Sequence, residues 1–218
     1  MTTVEAVLVD ADGGIAIEDE AFKVAVRAIR PKTGMNLWKL FRLWHLTRQS
    51  LKLSEGDILE VGCAFGGTGC LIAAAAGRVQ THLCDTFRGL VKCEQGVDIY
   101  HDGDMAEARL ADVAELVDSM ALANVHILPG VFPEDAGPDL AARKFRFVHL
   151  DVDIYRSTKD AFEWIWPRVV VGGVVVLDDF AVASCPGITK FVNEIMSLAD
   201  ARVEFVSGEA MATKLPNA

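Results

Sequence analysis

The stretch FRFVHLDVDIYRSTKDAFEWIWPRVVVGGVVVLDDF (145–180) decides the fold of this chain. Its pattern predicts a strand at 145–150, a helix at 157–169 and a second strand at 174–177. Two aspartates follow each strand: Asp151 and Asp153 after the first, Asp178 and Asp179 after the second. A strand–helix–strand unit of this length is typical of two parallel strands joined by a crossover helix.

The same alternation continues on both sides of this stretch. Upstream, the pattern predicts helices at 18–29 and 36–50, strands at 57–61, 81–84 and 125–128, and helices at 68–76 and 104–120. Downstream, it predicts a helix at 186–198 and strands at 202–206 and 210–214, which can form an antiparallel hairpin. Residues 4–17 suggest a hairpin or an extended arm that could pair across a homodimer. The chain is therefore expected to be a three-layer, Rossmann-like α/β domain with a mostly parallel sheet.

Composition narrows the class of protein. The chain has 218 residues, 51% of them hydrophobic, which suits one domain with a full core. It carries 21 Lys and Arg against 31 Asp and Glu, a net charge of −10, so nucleic acid and anionic membranes are not expected partners. Five cysteines without a CxxC pair argue against a disulfide framework or a structural zinc site. With no signal-like or membrane-spanning segment recognisable, a cytoplasmic protein is expected.

A glycine-rich turn, EVGCAFGGTG (60–69), follows the predicted strand 57–61. Glycines at such a turn let the backbone approach a ligand and aim helix N–H groups at it. Glu60 would repel a dinucleotide pyrophosphate, whereas it suits the cationic end of S-adenosylmethionine. Asp85 follows the next predicted strand, 23 residues after Gly62, where a carboxylate can bind both ribose hydroxyls. The turn and Asp85 together predict a nucleoside cofactor site.

The four aspartates after strands 145–150 and 174–177 predict a metal site. The carboxyl ends of parallel strands meet at one edge of a sheet, so these carboxylates should lie close together and repel one another. A hard divalent cation such as Mg²⁺ removes that repulsion. Helix capping explains one or two of the aspartates but not all four.

The run from His149 to Phe180 resembles the macrocin O-methyltransferase family of class I methyltransferases, which includes sugar O-methyltransferases of macrolide and aminocoumarin biosynthesis. Further motifs that resemble the family are TGM (33–35), GDILEVGCAFGGTG (56–69), DTFRGL (85–90), GVF (130–132) and GEAMATKL (208–215). The resemblance implies a seven-stranded sheet whose last strand is antiparallel, with an N-terminal cap over residues 1–50 and a methyltransferase domain over residues 51–218. It implies S-adenosylmethionine and Mg²⁺ as cofactors, and a sugar or another vicinal diol as the methyl acceptor.

The resemblance also implies roles for individual residues. Asp151, Asp178 and Asp179 would bind the metal, and Asp153 would be the general base. The cofactor would be bound by Met35, Glu60, Gly62, Phe65, Gly66, Gly67, Thr68, Asp85, Thr86 and Asp151. His149 stands where members of the family often carry Arg, and the loop 91–103 matches no substrate pattern.

Several alternatives remain open on the sequence alone. His149 could be a base instead of a hydrogen-bonded structural residue, and Tyr155 could bind the acceptor or be structural. The run VLVDADGG (7–14) resembles the start of haloacid-dehalogenase-type phosphatases, in which Asp10 would be the nucleophile and Asp12 a general acid. A nicotinamide oxidoreductase is disfavoured because Ala64 replaces the second glycine of the dinucleotide motif. A catechol-like diol would suit the metal chemistry as well as a sugar, and a non-catalytic binding module is a further possibility.

Overall fold

Seven strands form one sheet in a computed structural model that describes residues 17–216. The strands are β1 (Asp57–Val61), β2 (Thr81–Asp85), β3 (Val125–Pro129), β4 (Phe145–Leu150), β5 (Val169–Asp178), β6 (Ala201–Val206) and β7 (Glu209–Lys214). Their order across the sheet is β3-β2-β1-β4-β5-β7-β6. Strands β1 to β5 pair in parallel, whereas β7 runs antiparallel to both of its neighbours. The predicted fold class is confirmed.

Helices cover both faces of the sheet. They are α1 (Glu20–Ile29), α2 (Leu37–Ser50), α3 (Gly67–Ala76), α4 (Leu110–Ser119), α5 (Gly137–Leu140), α6 (Tyr155–Ile165) and α7 (Pro186–Ile195). Residues of α2 and α3 share one core with the sheet, and residues of α5, α6 and α7 share another. The result is the predicted three-layer arrangement.

Neighbouring residues in the central strands point to opposite cores. In β1, Ile58 packs with α2 and α3, while Leu59 packs on the other face. In β4, Phe147 lies on the same face as Ile58, and Val148 lies on the same face as Leu59. All four side chains are fully buried. Since side chains alternate across a strand, a sheet that is covered on both faces needs continuous apolar runs such as those of β4 and β5.

The N-terminal helices are tied to each other by Asp19. Its carboxylate caps α1 by accepting a hydrogen bond from the backbone N–H of Phe22 (3.0 Å), and it also accepts one from the indole N–H of Trp44 on α2 (3.0 Å). Helix α2 then packs on α3 through its buried face. The arm predicted at 4–17 lies outside the described residues except for Ile17, and Asp10 and Asp12 lie outside them as well.

Four predicted boundaries were wrong by three or more residues, one of them the end of the helix predicted at 186–198, which stops at Ile195. The helix predicted at 104–120 begins only at Leu110, because the carbonyl of Asp104 accepts the N–H of Leu90 and so closes the loop 91–103 instead of starting a helix. The helix predicted at 157–169 ends at Ile165, where Pro167 supports a short 3₁₀ turn. Strand β5 begins at Val169 rather than 174, with an irregularity in its pairing to β4 across Gly172 and Gly173. The short helix α5 was not predicted.

The chain order of the strands reverses between β1 and β4. From β1 the chain proceeds to β2 and β3 on one side of the sheet, and it returns to β4 on the other side. The crevice at the carboxyl ends of β1 and β4 is the place where open α/β sheets bind their ligands. None of the helices in the described residues is long and apolar enough to cross a membrane.

Candidate active site

A tight turn after β1 brings the backbone of the glycine-rich segment against the end of β4. Gly62 has a φ of +89°, and a Cβ there would overlap the carbonyl of Asp151. The Gly62 N–H donates to the carbonyl of Cys84 (2.8 Å), and the Asp151 N–H donates to the carbonyl of Val61 (3.0 Å). Only glycine fits this position, because both the backbone conformation and the lack of space exclude a side chain.

Asp85 and Thr86 form the wall of the crevice that faces the glycine-rich turn. The two carboxylate oxygens of Asp85 accept hydrogen bonds from the N–H groups of Ala64 (2.8 Å) and Phe87 (2.7 Å). The Thr86 hydroxyl donates to the carbonyl of Gly89 (2.7 Å). These bonds fix the Asp85 carboxylate across the crevice from Gly62, and each oxygen keeps a further lone pair for a ligand.

Seven of the ten predicted cofactor residues line two adjoining clefts, which share Gly62, Ala64, Asp151 and Asp153. The first cleft also contains Asp85 and Thr86, and the second also contains Met35, Phe65, Thr68 and the remaining two aspartates. Gly66 and Gly67 lie behind this surface: a Cβ on Gly66 would meet Val113, and one on Gly67 would overlap the carbonyl of Lys32. Gly66 and Gly67 therefore shape the turn, while the residues named above line the two clefts.

Glu60 lies beneath the clefts instead of lining them. Its side chain is fully buried, and Oε1 is 2.8 Å from Nδ1 of His149, which is its partner in the pairing of β1 with β4. A Cβ on Gly69 would overlap Oε2 of Glu60, so the absence of a side chain at Gly69 makes room for the carboxylate. The sequence pattern predicted direct contact with the cofactor, whereas the structure places Glu60 in a buried pair.

The four aspartates meet at the ends of β4 and β5, as predicted. Carboxylate oxygens of Asp151 and Asp178 lie within 4.8 Å of each other and of a ring nitrogen of His149. Asp153 and Asp179 form a second group with the thiol of Cys185, again within 4.8 Å. Asp153 has a φ of +62° and Asp179 a φ of +59°, a left-handed conformation that is uncommon outside glycine and concentrates at functional sites.

Burial and the neighbouring charges raise the pKa of two of these aspartates. Burial, followed by the charge of Asp178, raises the pKa of Asp151 well above its ordinary value. Burial, followed by the charge of Asp179, raises the pKa of Asp153 to about 7. A carboxyl group with a pKa near neutrality is suited to accept a proton during catalysis.

Lys39 of α2 is a further residue of the site, and it was not predicted from the sequence. Its ammonium forms an ion pair with Asp178 and lies 3.9 Å from Oδ1 of Asp179. One turn further along α2, Arg42 pairs with the fully buried carboxylate of Glu209, the residue opposite Asp178 in the pairing of β5 with β7. The i, i+3 spacing of Lys39 and Arg42 was a usable signal, because it places both cations on one side of the helix.

The arrangement fits a divalent cation. Asp151 and Asp178 offer closely spaced oxygen ligands, and Asp179 follows directly. Lys39 supplies one positive charge to these carboxylates, so the cluster already stabilises a cation at this edge. A divalent ion with oxygen ligands would neutralise the remaining charge.

Replacing Lys39 with Met is expected to destabilise the metal-free protein by about 1–3 kcal/mol, because the buried carboxylate of Asp178 loses its partner. A divalent ion should then raise the melting temperature of the variant more than that of the wild type. Thermal unfolding with and without chelator measures both effects. A variant as stable as the wild type in chelator would contradict this role for Lys39.

Without metal, Asp153 is expected to make the protein less stable as the pH rises. In the unfolded chain its carboxyl ionises near 3.8, whereas in the native state it keeps its proton up to a pKa of about 7. Its stabilising contribution is therefore complete below the lower value and is lost as the pH rises through the higher one. Urea unfolding in chelator across this range should show a steeper loss for the wild type than for Asp153→Asn, and parallel profiles would contradict the assignment.

The outer side of the aspartate cluster is formed by residues to which the sequence assigned no role. The side chain of Tyr100 is hydrogen-bonded to Ser184 and faces Cys185, Asp153 and Asp179, and burial raises its pKa. The Cys185 thiol lies 3.5 Å from Oδ2 of Asp179. Tyr100 and Cys185 therefore lie beside Asp153 and Asp179.

Tyr155 is a packing residue in this structure. Its hydroxyl donates to Glu194 of α7 (2.7 Å), and Lys190 lies over its ring. The N–H of Tyr155 donates to Asp98, so the loop 91–103 caps α6. The structural alternative for Tyr155 is thus the one that its contacts favour.

Comparison with known proteins agrees with the geometry of this site. The sequence model described as "Macrocin-O-methyltransferase (TylF)" matches residues 31–202. The chain belongs to this family. The matched range contains the glycine turn, Asp85 and all four aspartates of the cluster, and it confirms the resemblance seen in the sequence. The phosphatase alternative finds no support among the comparisons.

One curated relative is an enzyme of Streptomyces olivaceus, 8-demethyl-8-(2,3-dimethoxy-alpha-L-rhamnosyl)-tetracenomycin-C 4'-O-methyltransferase. This chain is 32% identical to it over 149 residues. The aligned region covers 60% of this chain and 55% of that protein, so the chain spans just over half the length of this relative.

Two solved structures share the fold. The O-methyltransferase NovP has a TM-score of 0.72 at 22% identity, covering 85% of this chain and 83% of that one. TomG of Streptomyces achromogenes, an O-methyltransferase solved in complex with SAM, has a TM-score of 0.66 at 19% identity, covering 99% and 100%.

Proposed function

We propose that this protein transfers the methyl group of S-adenosylmethionine to a hydroxyl of a sugar that carries vicinal hydroxyls, with the help of a divalent metal. One observation carries the proposal: the glycine turn, Asp85 and four aspartates converge on one crevice at the point where the strand order reverses. Membership in the macrocin-O-methyltransferase family supports the transfer of a methyl group. The relative that methylates a rhamnosyl group supports a sugar acceptor.

The cofactor would occupy the two adjoining clefts. We assign the ribose to the Asp85 carboxylate, with Thr86 beside it, and the methionine part to the surface formed by Met35, Phe65 and Thr68. Gly62 lets the cofactor approach the backbone between these two parts. The aspartates at the end of β4 would stabilise the positive sulfonium, since opposite charges attract strongly in a partly buried site.

Asp151, Asp178 and Asp179 would hold the metal, which when bound lowers the pKa of an acceptor hydroxyl and orients it. Asp153 would accept the proton of that hydroxyl as the oxygen forms its bond to the methyl carbon and the carbon–sulfur bond breaks. S-adenosylhomocysteine and a methyl ether are the products.

We also propose that the N-terminal helices serve as a cap on this site. The segment from Lys32 to Lys39 forms one wall of the second cleft, and Lys39 reaches the aspartates.

The test is methyl transfer to a panel of acceptors. The protein is incubated with S-adenosylmethionine and α-L-rhamnosides, other glycosides or catechols, and methyl ethers are detected by mass spectrometry. We expect transfer to a rhamnoside with free hydroxyls, lost with chelator and restored by Mg²⁺ or Mn²⁺, and no transfer to the matched rhamnoside in which every hydroxyl is methylated. Transfer that is unaffected by chelation would overturn the metal assignment, and transfer to catechols alone would overturn the sugar assignment.

A further inference from the structure

A buried histidine lies directly beneath the aspartate cluster. His149 and Glu60 are both fully buried, with Nδ1 of the ring 2.8 Å from Oε1 of the carboxylate. In the tautomer that carries its proton on Nδ1, the ring donates this hydrogen bond to the carboxylate oxygen. In the neutral ring Nε2 then carries a free lone pair, and this nitrogen has no hydrogen-bond partner among the described residues.

The ring faces the metal-binding end of the site. One of its nitrogens lies within 4.8 Å of carboxylate oxygens of both Asp151 and Asp178. The strand geometry explains this convergence: residues 149 and 151 are two positions apart and so point to one face, and His149 is in register with Val176, two positions before Asp178. With Nδ1 occupied by Glu60, Nε2 is the nitrogen that is free to bind a ligand.

On the basis of the metal site in the proposed function, we propose that Nε2 of His149 is a further ligand of the ion held by Asp151 and Asp178. The site would then select a first-row transition metal, such as Mn²⁺, Fe²⁺, Co²⁺ or Zn²⁺, over Mg²⁺. Imidazole suits these ions, whereas Mg²⁺ favours oxygen ligands and bound water.

This assignment also gives a role to Glu60, which would orient the ring of His149. Histidine ligands of metals commonly donate their second nitrogen to a carboxylate, which fixes the tautomer and strengthens the ligand. Glu60 stands in that position, and Gly69 leaves the space for it. Glu60 would therefore be a positioning residue for the metal ligand rather than a contact of the cofactor.

Coordination also removes an energetic penalty. A buried polar nitrogen without a partner is unfavourable, and such groups in native proteins usually have a functional cause. His82 of the same sheet shares these features: it is buried, pairs with the carboxylate of Asp57 at 3.0 Å and has a second ring nitrogen without a partner among the described residues. Of these two histidines, however, only His149 belongs to a group of described residues that could hold a metal, so its distance to Asp151 and Asp178 carries the proposal.

The test uses chelator-treated protein titrated with Co²⁺, Mn²⁺ and Mg²⁺ alone, without cofactor or acceptor. Visible absorption of Co²⁺ and competition measured by Mn²⁺ paramagnetic resonance report affinity and ligand type. We expect the wild type to prefer Mn²⁺ over Mg²⁺, and His149→Gln to lose this preference. Glu60→Gln should weaken Mn²⁺ binding by about 10–100-fold. His82→Gln is the matched control and should bind like the wild type.

Two results would overturn the proposal in different ways. If Asp178→Asn abolishes binding while His149→Gln changes neither affinity nor preference, the metal site stands and His149 is not a ligand. If the wild type binds none of the three ions, the metal part of the proposed function fails as well. If His149→Gln does not fold, pulsed paramagnetic resonance on wild-type protein with Mn²⁺ decides: nitrogen modulation from a directly bound imidazole supports the proposal, and its absence refutes it.

Discussion

Asp153→Asn is expected to lower kcat by about 10²–10⁴-fold, the range that a positioned general base contributes. The amide has nearly the same shape as the carboxyl group but cannot accept the proton of the acceptor hydroxyl. The dissociation constant of S-adenosylhomocysteine should change little, because the proposed cofactor contacts at Gly62, Asp85 and Thr86 remain. Initial rates on an acceptor found in the panel, together with calorimetry, measure the two effects separately.

Asp118→Asn is the control for this substitution, since Asp118 is an exposed carboxylate on α4. It should leave kcat unchanged. An Asp153→Asn enzyme with a kcat close to that of the wild type would remove Asp153 from the mechanism. A variant that also loses cofactor binding would show that Asp153 acts mainly on the cofactor.

Gly62→Ala is expected to lower the free energy of unfolding by about 2–5 kcal/mol and to abolish cofactor binding. The left-handed conformation contributes about 1–2 kcal/mol, and forcing a methyl group into filled space costs about 1–3 kcal/mol more. The new Cβ would meet the carbonyl of Asp151, so the ends of β1 and β4 would have to separate. Urea unfolding and calorimetry with S-adenosylhomocysteine provide the two readouts.

Gly103→Ala is the matched control for the backbone term. Gly103 has a φ of +92°, close to the +89° of Gly62, but nothing lies within 4 Å of a Cβ built on it. It should lose only the conformational part, about 1–2 kcal/mol, and bind the cofactor normally. Equal losses for the two variants would mean that the close approach of Gly62 to Asp151 does not contribute.

The sequence predicts the architecture because hydrophobic patterning directly reflects burial. Apolar runs such as 145–150 and 174–177 are what a strand covered on both faces requires, and aspartates after them must meet at one edge of a parallel sheet. The helix boundary at Leu110 was not predictable in this way, since it depends on the hydrogen bond from Leu90 to Asp104 across a closed loop. Loop closure of this kind leaves no periodic signal.

The site residues also divide into those that the sequence predicts and those that it does not. Asp85 and the four aspartates are recognisable because their positions after strands carry meaning. The roles of Lys39 and Glu60 depend on how α2 docks and on which residue of β4 lies beside Glu60. An acidic residue before a glycine turn suggests contact with a cationic cofactor, yet the register of two strands pairs it with a histidine instead. Tertiary contacts of this type cannot be derived from local patterns.

The most direct test of the account is calorimetric titration of S-adenosylhomocysteine into the purified protein, with chelator and then with Mg²⁺ or Mn²⁺. We predict micromolar binding, accompanied by stabilisation of ~2.7 kcal/mol at a hundredfold excess over the dissociation constant. Asp85→Ala should weaken that binding through loss of the ribose contact. Absence of binding by the folded wild-type protein under all of these conditions would contradict the assignment of the crevice to S-adenosylmethionine, and with it the proposed methyl transfer.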